Sequence, residues 1–123
     1  MKENSNSFSW LEWAREYKKV KYKGTLQTTH LLFLQGMNLE EIAKKRNIKE
    51  ETVERQFVAL IVKGLVHVAD IINEEKIKKI LHIVKNNNKL SIIKEELGEK
   101  YSYFEIKAVI ASLGVSARRR SEQ

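Results

Sequence analysis

The sequence predicts an all-α fold, on three observations. Apolar residues recur at the spacing of a helix face, as Val53, Phe57 and Leu60 do. Residues that favour helix N-caps precede several of these segments, and a glycine follows most of them. Only residues 65–68 have the composition of a strand, whereas a β-hairpin needs two strands and a turn. We therefore predict helices throughout the chain and no β-hairpin wing.

Residues 38–53 predict two short helices joined by a tight turn. Asn38 is a favourable N-cap, and Glu41 follows three residues later, as in a capping box. Asn47 stands where the chain must turn, and asparagine tolerates the left-handed conformation better than most residues. Val53 then begins the buried face of the second helix. This arrangement is typical of a helix-turn-helix, which can place its second helix in the major groove of DNA.

Two small helical units are predicted, and the first of them contains the helix-turn-helix. Its helices cover about 25–35, 39–46 and 49–63. The many leucines of the first helix indicate that it is mostly buried. A short extended connector, 65–68, then leads to the second unit.

The second unit repeats this plan with three more helices. Asn73 can cap the first, a loop over 86–88 follows it, and the second helix covers 90–97. Residues 102–105 form the capping box of the last helix, which we expect Gly114 to end. The predicted organisation is a basic N-terminal arm that can include a helix (1–24), the helix-turn-helix unit (25–70), the second three-helix unit (71–114) and a basic tail (115–123).

Charge is distributed unevenly along the 123 residues, whose formal net charge is +7 and whose pI is about 9.6. Residues 25–70 are neutral overall, whereas 1–24 carry +3 and 71–114 and 115–123 carry +2 each. A basic balance favours a polyanionic partner. The excess positive charge therefore lies in the segments that flank the helix-turn-helix rather than within it.

Composition excludes several classes of site. The chain has no cysteine, which excludes disulfides and thiolate metal ligands. It contains no glycine-rich phosphate loop and no nucleophile elbow, and its three histidines lie far apart in the sequence. We therefore expect no enzyme activity, no catalytic or metal-binding residue, no cofactor and no small-molecule ligand. No apolar run approaches the roughly 18 residues of a membrane span, so a cytoplasmic, nucleoid-associated protein is expected.

Candidate DNA-binding residues fall into two groups. Side chains near the start of the second helix of a helix-turn-helix meet base edges, and arginine and glutamine suit guanine and adenine. Lysine and arginine runs outside the motif are suited to phosphates. The first group comprises Lys49, Thr52, Arg55 and Gln56, and the second comprises Lys18, Lys19, Lys21, Lys23, Arg118, Arg119 and Arg120. Lys45, in the preceding helix, is a further candidate DNA-binding residue.

Glutamates leave an alternative open at the same helix. Glu50, Glu51 and Glu54 are expected on its exposed face, where they would repel phosphates. The helix-turn-helix can then be a packing unit or a protein-binding surface. The two basic runs can equally be a solvated linker and a solvated tail.

A family resemblance extends over residues 25–113. The residues that carry it are Gly36, 39–43, Asn47, Ile48, 52–54, Leu60, Ile61, Lys63, Gly64, Ile80 and 103–111. On these residues the chain resembles a helix-turn-helix module found at the C-termini of DNA helicases, best known in RecQ-type enzymes. The match over 103–111 is more specific than that in the first half, which many helix-turn-helix proteins share. Gln56 departs from the family pattern, in which histidine often occupies this position.

The resemblance implies an accessory role beside a helicase, in DNA repair or recombination. The helicase motor domains, in the same chain or in a separate one, would hydrolyse ATP, while this module positions DNA or docks a partner. Two other classes stay open on the residues alone: a protein-interaction module that docks a helicase or repair partner, and a transcription regulator. A regulator usually binds palindromes as a dimer, and no helix with dimerisation heptads is evident in the sequence.

Overall fold

Six complete α-helices lie in the part of the chain that the computed structural model describes, residues 16–85 and 89–121, with the backbone alone for 114–121. Residues 16–18 are also helical, and the described residues contain no strand. The all-α fold without a wing is therefore confirmed. The helices are α1 (Thr25–Leu34), α2 (Leu39–Arg46), α3 (Glu50–Val62), α4 (Glu74–Val84), α5 (Leu90–Leu97) and α6 (Tyr103–Ser121), and a 3-10 helix covers Val68–Asp70.

Some predictions fall outside the described residues. They concern residues 1–15, which include most of the predicted arm, and the predicted loop over 86–88. The side chains of Arg118, Arg119 and Arg120 also lie outside them, although the backbone of these residues belongs to α6.

The helix-turn-helix forms as predicted, through local hydrogen bonds. The Asn38 side chain accepts from the Glu41 backbone N–H at 2.8 Å, and the Glu41 carboxylate accepts from the Asn38 N–H at 2.9 Å. These two bonds satisfy donors that the first turn of α2 leaves without helical partners. Asn47 ends α2 in the left-handed conformation, with φ 57° and ψ 48°. The chain can therefore turn into α3 within a few residues.

Helix α3 is the central element of the fold. Helices α1 and α2 pack on it from one side, where the Phe33 and Phe57 rings meet edge to face at 5.1 Å. Helix α6 packs along another face, and α4 and α5 pack on α6. Residues 57–62 are all buried. Only the first two turns of α3 are therefore left to meet a partner.

Capping and one ion pair stabilise the helices of the second unit. The Asn73 side chain accepts from the backbone of α4, and Ser102 and Glu105 form the predicted capping box of α6. The Lys76 ammonium donates to the Glu105 carboxylate at 2.8 Å, and both side chains are partly buried. This pair links the start of α4 to the start of α6.

Two predictions about the elements are wrong. Helix α1 is not mostly buried, because only one face of it meets α2 and α3 and the opposite face leaves Leu31 and Leu34 48% and 65% exposed. Helix α6 does not end at Gly114 but continues to Ser121, since a glycine inside a helix costs only about 1 kcal/mol. In the predicted connector 65–68, His67 has an extended backbone and Val68 begins the 3-10 helix.

None of the helices in residues 16–85 and 89–121 is both long enough and apolar enough to cross a membrane.

Candidate nucleic-acid interface

The first two turns of α3 present a mixed-charge face to solvent. Lys49, the N-cap residue, is exposed, as are Glu50, Glu51 and Arg55, whereas Thr52 is half-buried. Lys45, in the last turn of α2, is also exposed. The candidate DNA-binding side chains Lys45, Lys49 and Arg55 are therefore accessible.

Gln56 occupies a different environment from its neighbours on α3. Its amide oxygen accepts from the Arg46 guanidinium at 3.0 Å and from the Thr29 hydroxyl, and its amide nitrogen donates to the Thr25 hydroxyl at 3.1 Å. Arg46 also donates to both threonine hydroxyls, at 2.6 and 2.7 Å. We call Thr25, Thr29, Arg46 and Gln56 the Arg46 network.

The Arg46 network joins Thr25 and Thr29 of α1 to Arg46 of α2 and Gln56 of α3. The Thr29 side chain in it is fully buried, so its hydroxyl needs the partners that the network supplies. The predicted base contact of Gln56 stays a prediction, and such a contact would compete with these internal bonds.

The described part of the basic arm, residues 16–23, lies against α3 and α1. The Lys63 ammonium, at the C-terminal end of α3, donates to the Lys18 carbonyl at 3.2 Å. The Tyr22 hydroxyl is 2.9 Å from His30 Nδ1 on α1. The arm is thus attached beside the helix-turn-helix, and its four lysines Lys18, Lys19, Lys21 and Lys23 are all exposed.

A cleft of about 290 Å³ lies beside the exposed turns of α3. The arm, α3 and the start of α6 form its walls, and Tyr103 on its rim is 46% exposed. The Lys94 ammonium of α5 lies 5.6 Å from the centre of the Tyr103 ring. The residues that line the cleft are Tyr17 from the arm, Glu51, Glu54, Arg55 and Val58 from α3, and Tyr103, Phe104 and Lys107 from α6.

Burial changes the acid–base properties of two cleft residues. Glu54 is half-buried rather than exposed as predicted, and this burial raises the pKa of its carboxyl. The negative charges of Glu50 and Glu51 raise that pKa further, while Lys107 lowers it. Burial also raises the pKa of the Tyr17 hydroxyl, and the positive charge of Arg55 opposes that effect. Glu54 therefore holds its negative charge less strongly than an isolated glutamate.

The cleft could not be read from the sequence because its walls come from three separate segments. Glu54 and Lys107 are 53 positions apart in the numbering, and only the packing of α6 on α3 brings them to one site. The exposed aromatic Tyr103 within a predicted capping box was the one local signal. The described residues hold no cluster of acidic and histidine side chains that could bind a metal ion.

Comparison with protein families assigns the chain to a class. A family model described as a helix-turn-helix domain matches residues 25–110. The chain therefore belongs to this helix-turn-helix domain family, and such a domain suggests DNA binding. Comparisons with curated proteins and with solved structures returned no match.

Proposed function

We propose that this chain is a non-catalytic DNA-binding module that serves a DNA helicase and positions DNA through backbone contacts. The observation that carries the proposal is the attachment of the lysine-rich arm beside α3, with the Lys18 carbonyl on Lys63 and Tyr17 in a cleft with Arg55. The exposed lysines of the arm therefore begin one residue after Tyr17, which lines a cleft together with Arg55 of α3.

Backbone contacts are favoured over base reading by the charges on α3. Glu50 and Glu51 are exposed at its N-terminal end, where they reduce the attraction of the helix terminus for phosphate. In residues 16–23 of the arm the one acidic side chain is Glu16, which lies 3.8 Å from Lys19. Sequence-independent, salt-dependent binding is the expected result.

The helicase part of the proposal is supported by the resemblance of residues 103–111 to helicase-associated modules. The reading frame of the gene tests it, because a motor domain encoded upstream in the same frame would make this chain the end of a helicase. If the chain is free-standing, adding it to a helicase should increase unwinding of a fork. No motor domain in the frame and no effect on any helicase would contradict this part.

Titration of duplex, forked and single-stranded DNA at two salt concentrations tests the DNA-binding part. Replacing Lys18, Lys19, Lys21 and Lys23 with alanine should weaken binding to every sequence and reduce the salt dependence. On duplex DNA the slope should fall by about 0.9 for each phosphate that the arm no longer neutralises. A matched control replaces four exposed lysines outside α3 with alanine: Lys78, Lys79, Lys85 and Lys100. This variant loses the same amount of positive charge.

The control variant should bind DNA nearly as well as the unchanged protein. An equal weakening in both variants would mean that net charge alone, and not the arm, attracts DNA. Absence of binding to all three DNA forms at low salt would remove the DNA-binding proposal altogether.

A protein-docking role is the second candidate, and the exposed pair Glu50 and Glu51 favours it. Two carboxylates at the accessible end of α3 suit a basic surface on a helicase or repair protein. A partner captured from nuclease-treated extract by the unchanged protein, but not by a variant with both glutamates replaced by lysine, would favour this role. A partner captured only while nucleic acid is present would favour DNA binding.

A further inference from the structure

We propose that the cleft between the arm, α3 and α6 binds one unpaired nucleotide, with its base against Tyr103 and its amino group at Glu54. This inference rests on the proposed DNA binding and names the form of DNA that the cleft prefers. It assigns a role to the aromatic and acidic residues of the cleft. The proposed contacts between the arm and the DNA backbone do not involve these residues.

The size of the cleft suits one nucleotide. Its volume of about 290 Å³ is just below the roughly 300–1,000 Å³ typical of small-molecule sites, which suits a small occupant. A duplex is too large to enter a cleft of this volume. A nucleotide that is single-stranded, or turned out of a duplex, can enter.

Aromatic side chains give the cleft a surface on which a base can stack. Tyr103 is 46% exposed, whereas residues 108–111 later in the same helix are fully buried. The Lys94 ammonium is held beside its ring, since it also donates to the Gly98 carbonyl at 3.2 Å. Phe104 and Tyr17 add apolar surface at the same site. Stacking of bases on such rings tolerates any sequence and is common in single-strand binding proteins.

Charged residues on two walls of the cleft suit the phosphate and the base amino group of a nucleotide. Arg55 on α3 and Lys107 on α6 are suited to its phosphate. The carboxylates of Glu54 and Glu51 can only accept hydrogen bonds when ionised, so they suit the exocyclic amino groups of adenine, cytosine and guanine. Thymine has no amino group. The cleft should therefore prefer an amino-bearing base to thymine.

The same charges disfavour a basic peptide as the occupant. A lysine or arginine side chain entering the cleft would meet Glu54 and Glu51 but also the positive charges of Arg55 and Lys107. A nucleotide has an anionic phosphate for these two cations and a neutral base for the rings. It therefore matches all three kinds of side chain in the cleft.

Fluorescence anisotropy with the full chain tests the stacking contact. Tyr103→Ala should weaken binding to a short oligothymidine with one central cytidine by on the order of tenfold, and leave duplex binding unchanged. Tyr101→Ala is the matched control, because Tyr101 also has a lysine ammonium above its ring, Lys76 at 5.3 Å, but does not line the cleft. Thermal unfolding of each variant checks that it is folded.

The base preference is tested with the same oligonucleotides. The unchanged protein should bind the oligonucleotide with one central cytidine several-fold more tightly than oligothymidine alone, on the scale of one good base contact. Glu54→Gln should remove most of this difference, whereas Glu50→Gln, outside the cleft, should keep it.

A spectroscopic titration of the unchanged protein keeps the proposal falsifiable even if a variant fails to fold. Cytidine monophosphate should shift the backbone amide signals of Arg55, Tyr103 and Lys107 in isotope-labelled protein, and thymidine monophosphate should shift them less. Acetyl-arginine amide represents a basic peptide in the same titration. The proposal is overturned if neither nucleotide shifts these amide signals, or if acetyl-arginine amide shifts them and the nucleotides do not.

The outcomes separate this proposal from the one on which it rests. If no DNA binds at all, DNA binding itself fails. If duplex and single-stranded DNA bind through the arm but Tyr103→Ala affects neither, or affects both equally, only the cleft assignment fails.

Discussion

Arg46 connects three helices through one guanidinium group. It donates to Thr29 and Thr25 of α1 and to Gln56 of α3, while its own backbone belongs to the last turn of α2. The Thr29 hydroxyl is fully buried, so water cannot replace the guanidinium as its partner. Arg46 therefore acts as a positioning residue for the helix-turn-helix and is less available than its neighbours to bind phosphate.

Arg46→Met should lower the free energy of unfolding by about 2–3 kcal/mol, because it removes the charged hydrogen bonds that Arg46 donates to Thr25, Thr29 and Gln56. Urea unfolding measures this change. Lys45→Met is the control, since Lys45 is exposed and its replacement should change stability by about 0.5 kcal/mol or less. Equal stabilities of the two variants would mean that the network contributes little.

Residue-level prediction succeeded where the interaction is local. The capping boxes at Asn38 and Ser102 and the left-handed Asn47 were predicted, because each depends on residues within four positions of one another. The Arg46 network was not predicted, since its members come from three helices. The assignment of Gln56 to DNA stays a prediction, and its hydrogen bonds to Thr25, Thr29 and Arg46 have no local signature in the sequence.

At the scale of the element, α3 combines two roles. Its C-terminal half, residues 57–62, is core, and its first two turns are the accessible part of the helix-turn-helix. Glu54 lies at the boundary, where burial and then Glu50 and Glu51 raise its pKa. Protonation of Glu54 is therefore favoured by folding.

The sign of the resulting pH effect follows from linkage. The pKa of Glu54 is higher in the folded state than in the unfolded state. The protonated Glu54 carboxyl therefore contributes its full stabilisation of the fold below the unfolded-state pKa, and this stabilisation is lost as pH rises through the folded-state pKa. Glu54→Gln should therefore remove this loss and raise the stability at neutral pH relative to the unchanged protein.

Urea midpoints measured from acidic to neutral pH test this prediction. The difference between Glu54→Gln and the unchanged protein should grow as pH rises and then level off. Glu96→Gln, an exposed change on α5 that removes the same charge, is the control. A Glu54→Gln difference that is constant with pH would contradict the linkage argument.

Prediction of the elements themselves was accurate for their bounds and poorer for their environment. Helix α2 and helix α5 begin and end as predicted, since caps and glycines mark their ends. The exposure of Leu31 and Leu34 on α1 was missed, because composition does not tell which face of a helix finds a partner. The continuation of α6 past Gly114 was missed because one glycine does not end a helix.

At the scale of the whole molecule, the two predicted units share one hydrophobic core. Helix α6 belongs to the second unit by sequence, yet it packs along α3 as well as on α4 and α5. Ile106, Val109 and Ile110 of α6 are fully buried, and each contributes roughly 1.5–3 kcal/mol by leaving water. Weaker packing on α6 should therefore affect both units.

Ile110→Ala should lower the free energy of unfolding by about 2–5 kcal/mol and reduce amide-exchange protection in α1–α3 as well as in α4 and α5. Hydrogen exchange followed residue by residue measures this. Ile92→Ala, on a side chain that is 38% exposed, is the control and should leave protection in α1–α3 unchanged. If Ile110→Ala lowers protection only in α4 and α5, the two units are independently stable.

The sequence by itself determined the helices, their caps, the left-handed turn at Asn47 and the helix-turn-helix class, because these depend on residues close together in the chain. Tertiary structure alone decided which face of α1 is exposed, that Gln56 bonds to Arg46, where the lysine-rich arm lies, and that Glu54 and Lys107 face one cleft. These features depend on how separate helices pack, and packing is set by the shapes and burial of many distant side chains at once.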